Sequence, residues 1–126
     1  MSGTTTEDGW ARCKGWIEAT LAQSPGFESI ADVERKLADG AYQFWPGRGC
    51  AIVSEIAQFP SRKVLMVRHG GGDLRELLED MEPALCAFAR GMGCGGIVSE
   101  GRKGWERAAG ANGYRFAWIA MQKDLG

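Results

Sequence analysis

Residues 64–74 constrain the fold more than any other stretch of the sequence. They read Val-Leu-Met-Val-Arg-His-Gly-Gly-Gly-Asp-Leu, an apolar run that leads through three glycines into a long helical pattern. The apolar residues predict a strand over 64–68, the glycines predict a tight turn, and the residues after them predict a helix. Such a junction presents backbone N–H groups that can bind an anion. Whether an anion binds there is the question on which the function depends.

Two amphipathic helices are predicted before this junction. Residues 1–9 are polar and Thr-rich, so we expect a flexible end, with Asp8 as the N-cap of the first helix. Apolar residues recur at helical spacing from Trp10 to Leu21, and Ser-Pro-Gly at 24–26 ends that helix. A second helix begins at a capping box of Ser29 and Asp32 and ends at Gly40. Residues 10–126 then form a single domain.

The hydrophobic period changes after residue 40, which predicts strands. Residues 42–45 and 50–59 have the pattern of an antiparallel hairpin around a Pro-Gly-Arg-Gly turn. One helix covers 73–91, kinked or divided at Pro83, and a short strand follows over 96–99. A helix over 105–109 and a closing strand over 114–122 complete the order ααβββαβαβ. We therefore predict an α/β (α+β) domain whose mixed, twisted sheet is flanked by helices and opens between strands 64–68 and 96–99.

The composition argues against several classes of protein. The formal net charge is -1, so nothing in it favours nucleic acid or an anionic membrane as a partner. No apolar run reaches the roughly 20 residues that span a bilayer, and the first residues lack the pattern of a signal peptide, so we expect a cytoplasmic protein. The four cysteines lack metal-ligand spacing and the chain has one histidine, which predicts no metal site.

The end of the sequence carries a further pattern. Residues 104–114 read Gly-Trp-Glu-Arg-Ala-Ala-Gly-Ala-Asn-Gly-Tyr, and residues 121–125 read Met-Gln-Lys-Asp-Leu. Together with the order of elements, these motifs make residues 10–125 resemble the GNAT superfamily of N-acetyltransferases without its usual first strand. The Phe-Trp-Pro-Gly motif at 44–47 is also similar to short GNAT-like proteins encoded in phages and prophages.

The resemblance implies an acetyl-CoA site at the junction described above. The superfamily binds pyrophosphate with a [QR]-x-x-G-x-[GA] turn, and Arg68 and Gly71 match its first and fourth positions. The implied cofactor-binding residues are Val67, Arg68, His69, Gly70, Gly71, Gly72 and Asp73. Asp73 departs from the motif at the sixth position, where its carboxylate would cap the helix and repel the phosphate. The alternative is a tight glycine turn with an ordinary N-cap, in which His69 is a partly exposed loop residue.

The candidate catalytic residues are few. The tyrosine that the superfamily often uses as a general acid corresponds here to Ala109, which counts against catalysis. Glu55 in the second strand and Glu100 after the fourth are weak candidates for a general base. For each of the two, an ordinary strand carboxylate that faces solvent or an arginine is the more common explanation.

Tryptophan and arginine residues alternate along parts of the chain. Trp45, Arg102 and Trp105 are candidates for a substrate or partner surface. An arginine on an indole face can hold an anionic or planar group, and both residue types are enriched at protein interfaces. Packing in the core is the alternative explanation for the tryptophans.

Two functions follow from these residues. The first is a GNAT-like protein with a degenerate acyl-CoA site that acts by binding a protein partner or forming a homo-oligomer, for example as a phage-encoded virion or host-interaction component. It is motivated by Asp73 and Ala109. The second is an acetyl-CoA-dependent N-acetyltransferase with an atypical pyrophosphate loop, motivated by Arg68 and the glycines.

Overall fold

A mixed four-stranded sheet with helices on both faces forms the part of the chain that the structure describes. The computed structural model describes residues 6–23, 26–100, 109–115, 117 and 121–126. In chain order the elements are α1 (Thr6–Ala22), α2 (Ile30–Ala38), β1 (Gln43–Pro46), β2 (Cys50–Gln58), β3 (Lys63–Gly72), α3 (Leu74–Glu76), a π-helical segment (Leu77–Met81), α4 (Glu82–Gly91) and β4 (Gly96–Ser99). The strand order is β1-β2-β3-β4, and β4 runs parallel to β3 while the other pairs are antiparallel. The predicted α/β (α+β) class is confirmed. No helix within these ranges has both the length and the apolar character needed to cross a bilayer.

The two N-terminal helices begin at different signals. α1 begins at Thr6, so Asp8 lies inside the helix instead of capping it, and residues 6–9 belong to the first turn. α2 follows the predicted capping box, in which the Ser29 side chain accepts from Asp32 N–H and the Asp32 carboxylate accepts from Ser29 N–H. Gly40 has a φ of 81°, which lets the chain leave α2 and turn into β1.

A β-bulge interrupts the pairing of β2 with β3. Ser54 pairs with Val67 and Val53 pairs with His69, which leaves Arg68 as the extra residue of β3. A bulge bends its strand and re-aims the side chains beside it. All 4 residues of β4 pair with β3, and the last pair joins Ser99 to Val67 just before the bulge. The opening predicted between strands 64–68 and 96–99 is therefore wrong over that length.

The three glycines belong to β3 rather than to a turn. Gly70, Gly71 and Gly72 continue the antiparallel ladder, opposite Ile52, Ala51 and Cys50. The predicted glycine turn is therefore wrong, because β2 extends alongside these residues and supplies backbone partners for them. Of the three, only Gly72 has a positive φ, 97°, and it is the residue at which the strand gives way to the helix.

Each face of the sheet has its own hydrophobic core. On one face α1 and α2 cover a cluster of small and apolar residues, namely Cys13, Ile17, Val33, Tyr42, Ala51 and Val53. On the other face the helices after β3 cover a second cluster, namely Cys50, Ile52, Leu65, Val67, Leu77, Met81, Leu85 and Ala89. Because β2 contributes residues to the core on each side, it is the central strand that the sequence predicted for residues 50–59.

The long helix predicted over 73–91 is present, but its winding changes along its length. Residues Leu77–Met81 have the wider winding of a π-helix, and Pro83 lies in the first turn of α4. Proline has no N–H and its ring clashes with the preceding turn, so a change of winding before it is expected. The helix is therefore not divided at Pro83, and what lies just before this residue is the change of winding.

The last two predicted elements fall largely outside the described residues. Residues 105–108 of the predicted last helix are outside them, while Ala109 and Gly110 are helical and residues 111–113 form a turn. In the predicted closing strand, residues 116 and 118–120 are outside the described ranges. The described residues 114, 115, 117, 121 and 122 are not paired in a strand.

Candidate functional site at the junction of β3 and α3

Asp73 caps the helix that follows β3. Its carboxylate accepts a hydrogen bond from Arg75 N–H at 3.0 Å, and its own N–H donates to the Gly49 carbonyl at 2.9 Å. An N-cap carboxylate satisfies N–H groups that would otherwise be available to a phosphate. The structure thus places Asp73 in the role that the sequence predicted, as an N-cap.

A second carboxylate, on Glu76, lies in the first turn of the same helix. It accepts hydrogen bonds from Arg48 N–H at 2.6 Å and from Gly49 N–H at 2.7 Å, both in the turn between β1 and β2. These backbone hydrogen bonds hold the pKa of Glu76 below its usual value, so it is ionised at neutral pH. Sequence reasoning missed this residue, although Asp73 and Glu76 have the spacing of a capping box.

The glycines of β3 are the place where α1 contacts the sheet. The Thr20 hydroxyl donates to the Gly70 carbonyl at 3.2 Å. A Cβ on Gly71 would lie 2.6 Å from the carbonyl oxygen of Trp16. Glycine is therefore required here by the close approach of a helix, and this face of Gly71 has no space for a ligand.

Arg68, at the bulge, binds the two carboxylates that were candidates for a general base. Its guanidinium donates to Glu55 at 2.7 and 2.9 Å and to Glu100 at 2.6 Å. Partial burial disfavours the charge, but the hydrogen bonds to Glu100 and Glu55 outweigh it and raise the pKa of Arg68. Glu100 follows β4, so this arginine joins β2, β3 and the end of β4 at the point where the parallel ladder stops.

His69 is buried, contrary to the prediction of a partly exposed loop residue. It lies in β3 with 6% of its surface exposed, and its Nε2 is 2.6 Å from the Glu28 carboxylate. Glu28 also accepts hydrogen bonds from the Tyr42 hydroxyl at 2.9 Å and from Lys36 Nζ at 3.2 Å. The bulge gives His69 this direction because it turns the end of β3 toward the face covered by α1 and α2. His69 is thus unavailable to a phosphate at the beginning of α3.

A small apolar cavity of about 50 Å³ lies beside the end of β4. Val67, Leu77, Ser99, Ala109 and Tyr114 are among the residues that line it. Ala109, which replaces the acid of the resembled superfamily, therefore does lie at a cavity. Tyr114 lies at the same cavity, and burial raises its pKa, so its phenol is protonated at neutral pH. Tyr114 is not among the catalytic candidates predicted from the sequence, which are Glu55 and Glu100.

The candidate substrate or partner surface is only partly described. Trp45 packs against Phe88, with ring centroids 5.3 Å apart, and its indole N–H donates to the Ser54 hydroxyl at 2.9 Å. Trp45 is thus half-buried against the core, and its part in a substrate or partner surface stays a prediction. Arg102 and Trp105 lie outside the described residues. Within the described residues, no cluster of three or more His, Cys, Asp or Glu side chains could hold a metal ion.

Comparison with known proteins relates the chain to acetyltransferases through its fold. No family model and no curated protein sequence matches it. Among solved structures, a Thermus thermophilus protein is 17% identical, with a TM-score of 0.63 over 97% of this chain and 95% of that chain. A possible acetyltransferase from Clostridium difficile is 10% identical, with a TM-score of 0.61 over 98% and 94% of the two chains.

A third structure is that of an enzyme whose acceptor is known. Glucosamine-6-phosphate N-acetyltransferase from Arabidopsis thaliana is 15% identical to this chain, with a TM-score of 0.55 over 90% of each chain. Identities at this level show the fold alone. The described domain therefore has a GNAT-like acetyltransferase fold, as the order of elements in the sequence predicted.

Proposed function

We propose that this chain is a GNAT-like domain with a degenerate acyl-CoA site, which acts by binding a protein rather than by transferring an acetyl group. The observation that carries the proposal is the pair of carboxylates at the beginning of α3. Asp73 and Glu76 accept hydrogen bonds from the backbone N–H groups that surround this helix end. Arg75 N–H, the donor to Asp73, belongs to the first turn of the helix, which is the part that would bind the cofactor pyrophosphate in a fold of this kind, and the Glu76 carboxylate lies in the same turn.

The electrostatics of this helix end support the proposal. A pyrophosphate carries negative charge and would have to displace or approach both carboxylates, which repel it. The low pKa of Glu76 keeps that side chain charged at neutral pH. The nearest basic side chain of the first turn, Arg75, is itself paired with Glu79 at 3.2 Å. Binding of acyl-CoA at this position is therefore opposed by the charge of the two carboxylates and by the loss of the backbone N–H donor that Asp73 already occupies.

The arginine at the bulge supports the proposal independently. A pantetheine chain that enters between two parallel strands needs free backbone groups and space at the point where they separate. Here Arg68 fills that point and forms ion pairs with Glu55 and Glu100. Entry of a ligand would break both ion pairs and leave the half-buried carboxylate of Glu55 without its partner.

An acetyl-CoA-dependent N-acetyltransferase is the second candidate. It is favoured by the cavity beside the end of β4, where Ser99 and Tyr114 lie together. A protonated phenol at such a cavity could donate a proton to a leaving thiolate, which is the role that Ala109 cannot fill. The cavity volume of about 50 Å³ is well below the roughly 300 Å³ at which small-molecule sites begin, so it could take an acetyl group but not a pantetheine arm.

Calorimetric titration with acetyl-CoA and with CoA distinguishes the two functions. We expect no saturable binding by the wild-type protein up to about 1 mM ligand. The double variant Asp73→Ser, Glu76→Gln removes both charges, while serine keeps the N-cap, and it should gain measurable affinity. Asp80→Asn is the matched control, because Asp80 is exposed in the π-helical segment that follows α3 and its substitution removes one charge without releasing Arg75 from Glu79.

Two results would contradict the proposal. Micromolar binding of acetyl-CoA by the wild-type protein would overturn the proposal and favour the second candidate, for which Tyr114→Phe should then abolish transfer. Absence of binding in the double variant would show that the two carboxylates are not the obstacle. Gly71→Glu is unsuitable as a test of cofactor binding, because any side chain at Gly71 meets α1.

The partner we propose is a protein, either a second copy of this chain or a host protein bound by a phage-encoded component. The net charge of -1 gives no attraction to polyanions, which supports a protein as the partner. Light scattering across a range of protein concentrations tests self-association directly. A monomer at every concentration leaves only a different protein as partner and contradicts the homo-oligomer.

A further inference from the structure

We propose that a groove at the beginning of β4 binds a small organic anion with an apolar body. The groove has a volume of about 380 Å³ and lies between α4, the first residues of β4 and the described residues 112–115 and 117. This volume is within the range of sites that hold small molecules. The beginning of α3, where acyl-CoA would bind, is formed by other residues, so this inference goes beyond the proposed function.

The charges around the groove indicate an anion. Among the described residues that line it, three are arginines, Arg62, Arg90 and Arg115, and one is an acid, Glu82. No described carboxylate pairs with Arg90 or Arg115, and both are exposed. Unpaired guanidinium groups at one groove are donors in the fork geometry that binds a carboxylate or phosphate.

The other two described charged residues of the lining are held by their own neighbours and do not pair with Arg90 or Arg115. Arg62 donates to the Gly95 carbonyl at 2.8 Å and packs against Gly96, which fixes its guanidinium at the edge of the groove. The Glu82 carboxylate accepts a hydrogen bond from the Cys86 thiol at 2.8 Å. The single acid of the lining is therefore engaged by its own helix, and the lining carries a net positive charge.

The floor of the groove is apolar. It includes Ala89 of α4, Ile97 and Val98 of β4, and Ala117. Ala89 is 4% exposed, and Tyr114 also lines the groove. A ligand that satisfies both the floor and the arginines has an apolar or aromatic body and one anionic head. Glu82 and Tyr114 line the small cavity beside Ser99 as well, so they form the boundary between the two sites.

NMR titration of the full chain tests this site, because it measures weak binding. The probes are benzoate, phenyl phosphate, inorganic phosphate and the neutral analogue benzamide. We expect benzoate and phenyl phosphate to bind at one site with a Kd of about 1 mM. Inorganic phosphate and benzamide should each bind at least about tenfold more weakly, because one lacks the apolar body and the other lacks the charge.

Variants identify the groove as the site. Arg90→Gln, Arg115→Gln together should weaken benzoate binding at least about tenfold, since two charge-assisted contacts are lost. Arg35→Gln, which removes the same charge from α2, should leave binding unchanged. Both arginines of the double variant are exposed, so its melting curve should match that of the wild type.

Four results would overturn the proposal. The first is that neither benzoate nor phenyl phosphate binds saturably, and the second is that benzamide binds as tightly as benzoate. The third is that inorganic phosphate binds as tightly as phenyl phosphate. The fourth is that the double variant binds benzoate with unchanged affinity. The test is independent of the proposed function. Acetyl-CoA can fail to bind at α3 while benzoate binds at the groove, or acetyl-CoA can bind at α3 while benzoate does not bind at the groove. The two titrations distinguish these results.

Discussion

The carbonyl oxygen of Trp16 in α1 lies 2.6 Å from the position that a Cβ on Gly71 would occupy. This is closer than a Cβ and an oxygen can approach without movement, and the nearest atom belongs to a helix backbone that cannot turn aside. Gly71→Ala should therefore push α1 away from the sheet and lower the free energy of unfolding by about 1–3 kcal/mol. Urea denaturation followed by tryptophan fluorescence measures this loss.

Gly91→Ala is the matched control for that substitution. Gly91 is the last residue of α4, and a Cβ there would meet no atom within 4 Å. Alanine should be neutral or stabilise the protein by up to about 1 kcal/mol, since it favours the helix. Equal stability of Gly71→Ala and the wild type would contradict the close packing of α1 on β3.

The partly buried Glu28 carboxylate predicts a dependence of stability on pH. Desolvation raises its pKa, but hydrogen bonds from His69, Tyr42 and Lys36 outweigh this and leave the pKa below the usual value. A carboxylate whose pKa is lower in the folded state stabilises the protein above its unfolded pKa of about 4.3. That contribution is lost as the pH falls through the lower pKa of the folded state.

Glu28→Gln should therefore lower the free energy of unfolding by about 1–3 kcal/mol at pH 7, because buried hydrogen bonds to a charge are weakened. The difference from the wild type should shrink as the pH falls below the unfolded pKa of about 4.3 and through the lower pKa of the folded state. Urea denaturation at a series of pH values measures both quantities. Glu79→Gln removes a charge at an exposed position and should show neither effect. A constant difference across this pH range would contradict the assignment of the low pKa to Glu28.

The features that were predicted correctly from the sequence depend on residues that are close together in the chain. The capping box of Ser29 and Asp32 and the N-cap at Asp73 each depend on residues two or three positions away, and all of these were predicted correctly. The order of elements up to β4 follows from local hydrophobic periodicity. The GNAT-like fold could therefore be predicted before the structure was known.

What could not be predicted depends on contacts between residues far apart in the sequence. Gly70 accepts its hydrogen bond from Thr20, 50 residues earlier, and His69 contacts Glu28, 41 residues earlier. A glycine under a packed helix and a glycine in a turn look alike in a sequence, because both lack a side chain. Glu76 was missed for the same reason, since its backbone donors lie 27 and 28 residues before it.

The two ion pairs of Arg68 should differ in strength. Glu55 accepts two hydrogen bonds from the guanidinium and its side chain is 27% exposed, whereas Glu100 accepts one and is 47% exposed. Solvent screens the second pair more strongly. Double-mutant cycles with Arg68→Gln should give a coupling energy of about 0.5–1 kcal/mol for Glu55→Gln and less for Glu100→Gln. A larger coupling with Glu100 would contradict the arrangement at the bulge.

The four cysteines should differ in their rate of alkylation. Cys13 and Cys50 are fully buried, and burial, followed by the charge of Glu76, raises the pKa of Cys50 to about 12. Cys86 and Cys94 are half-buried, and burial together with the hydrogen bond to Glu82 raises the pKa of Cys86. Since the thiolate is the reactive form, N-ethylmaleimide at pH 8 should label Cys94 first, Cys86 more slowly, and the other two only after unfolding. Peptide mass spectrometry after a short pulse measures this order, and the four rates should converge in 8 M urea. Labelling of Cys50 in the native protein as fast as that of Cys94 would contradict the core beneath α3 and α4, because that core is what excludes the reagent.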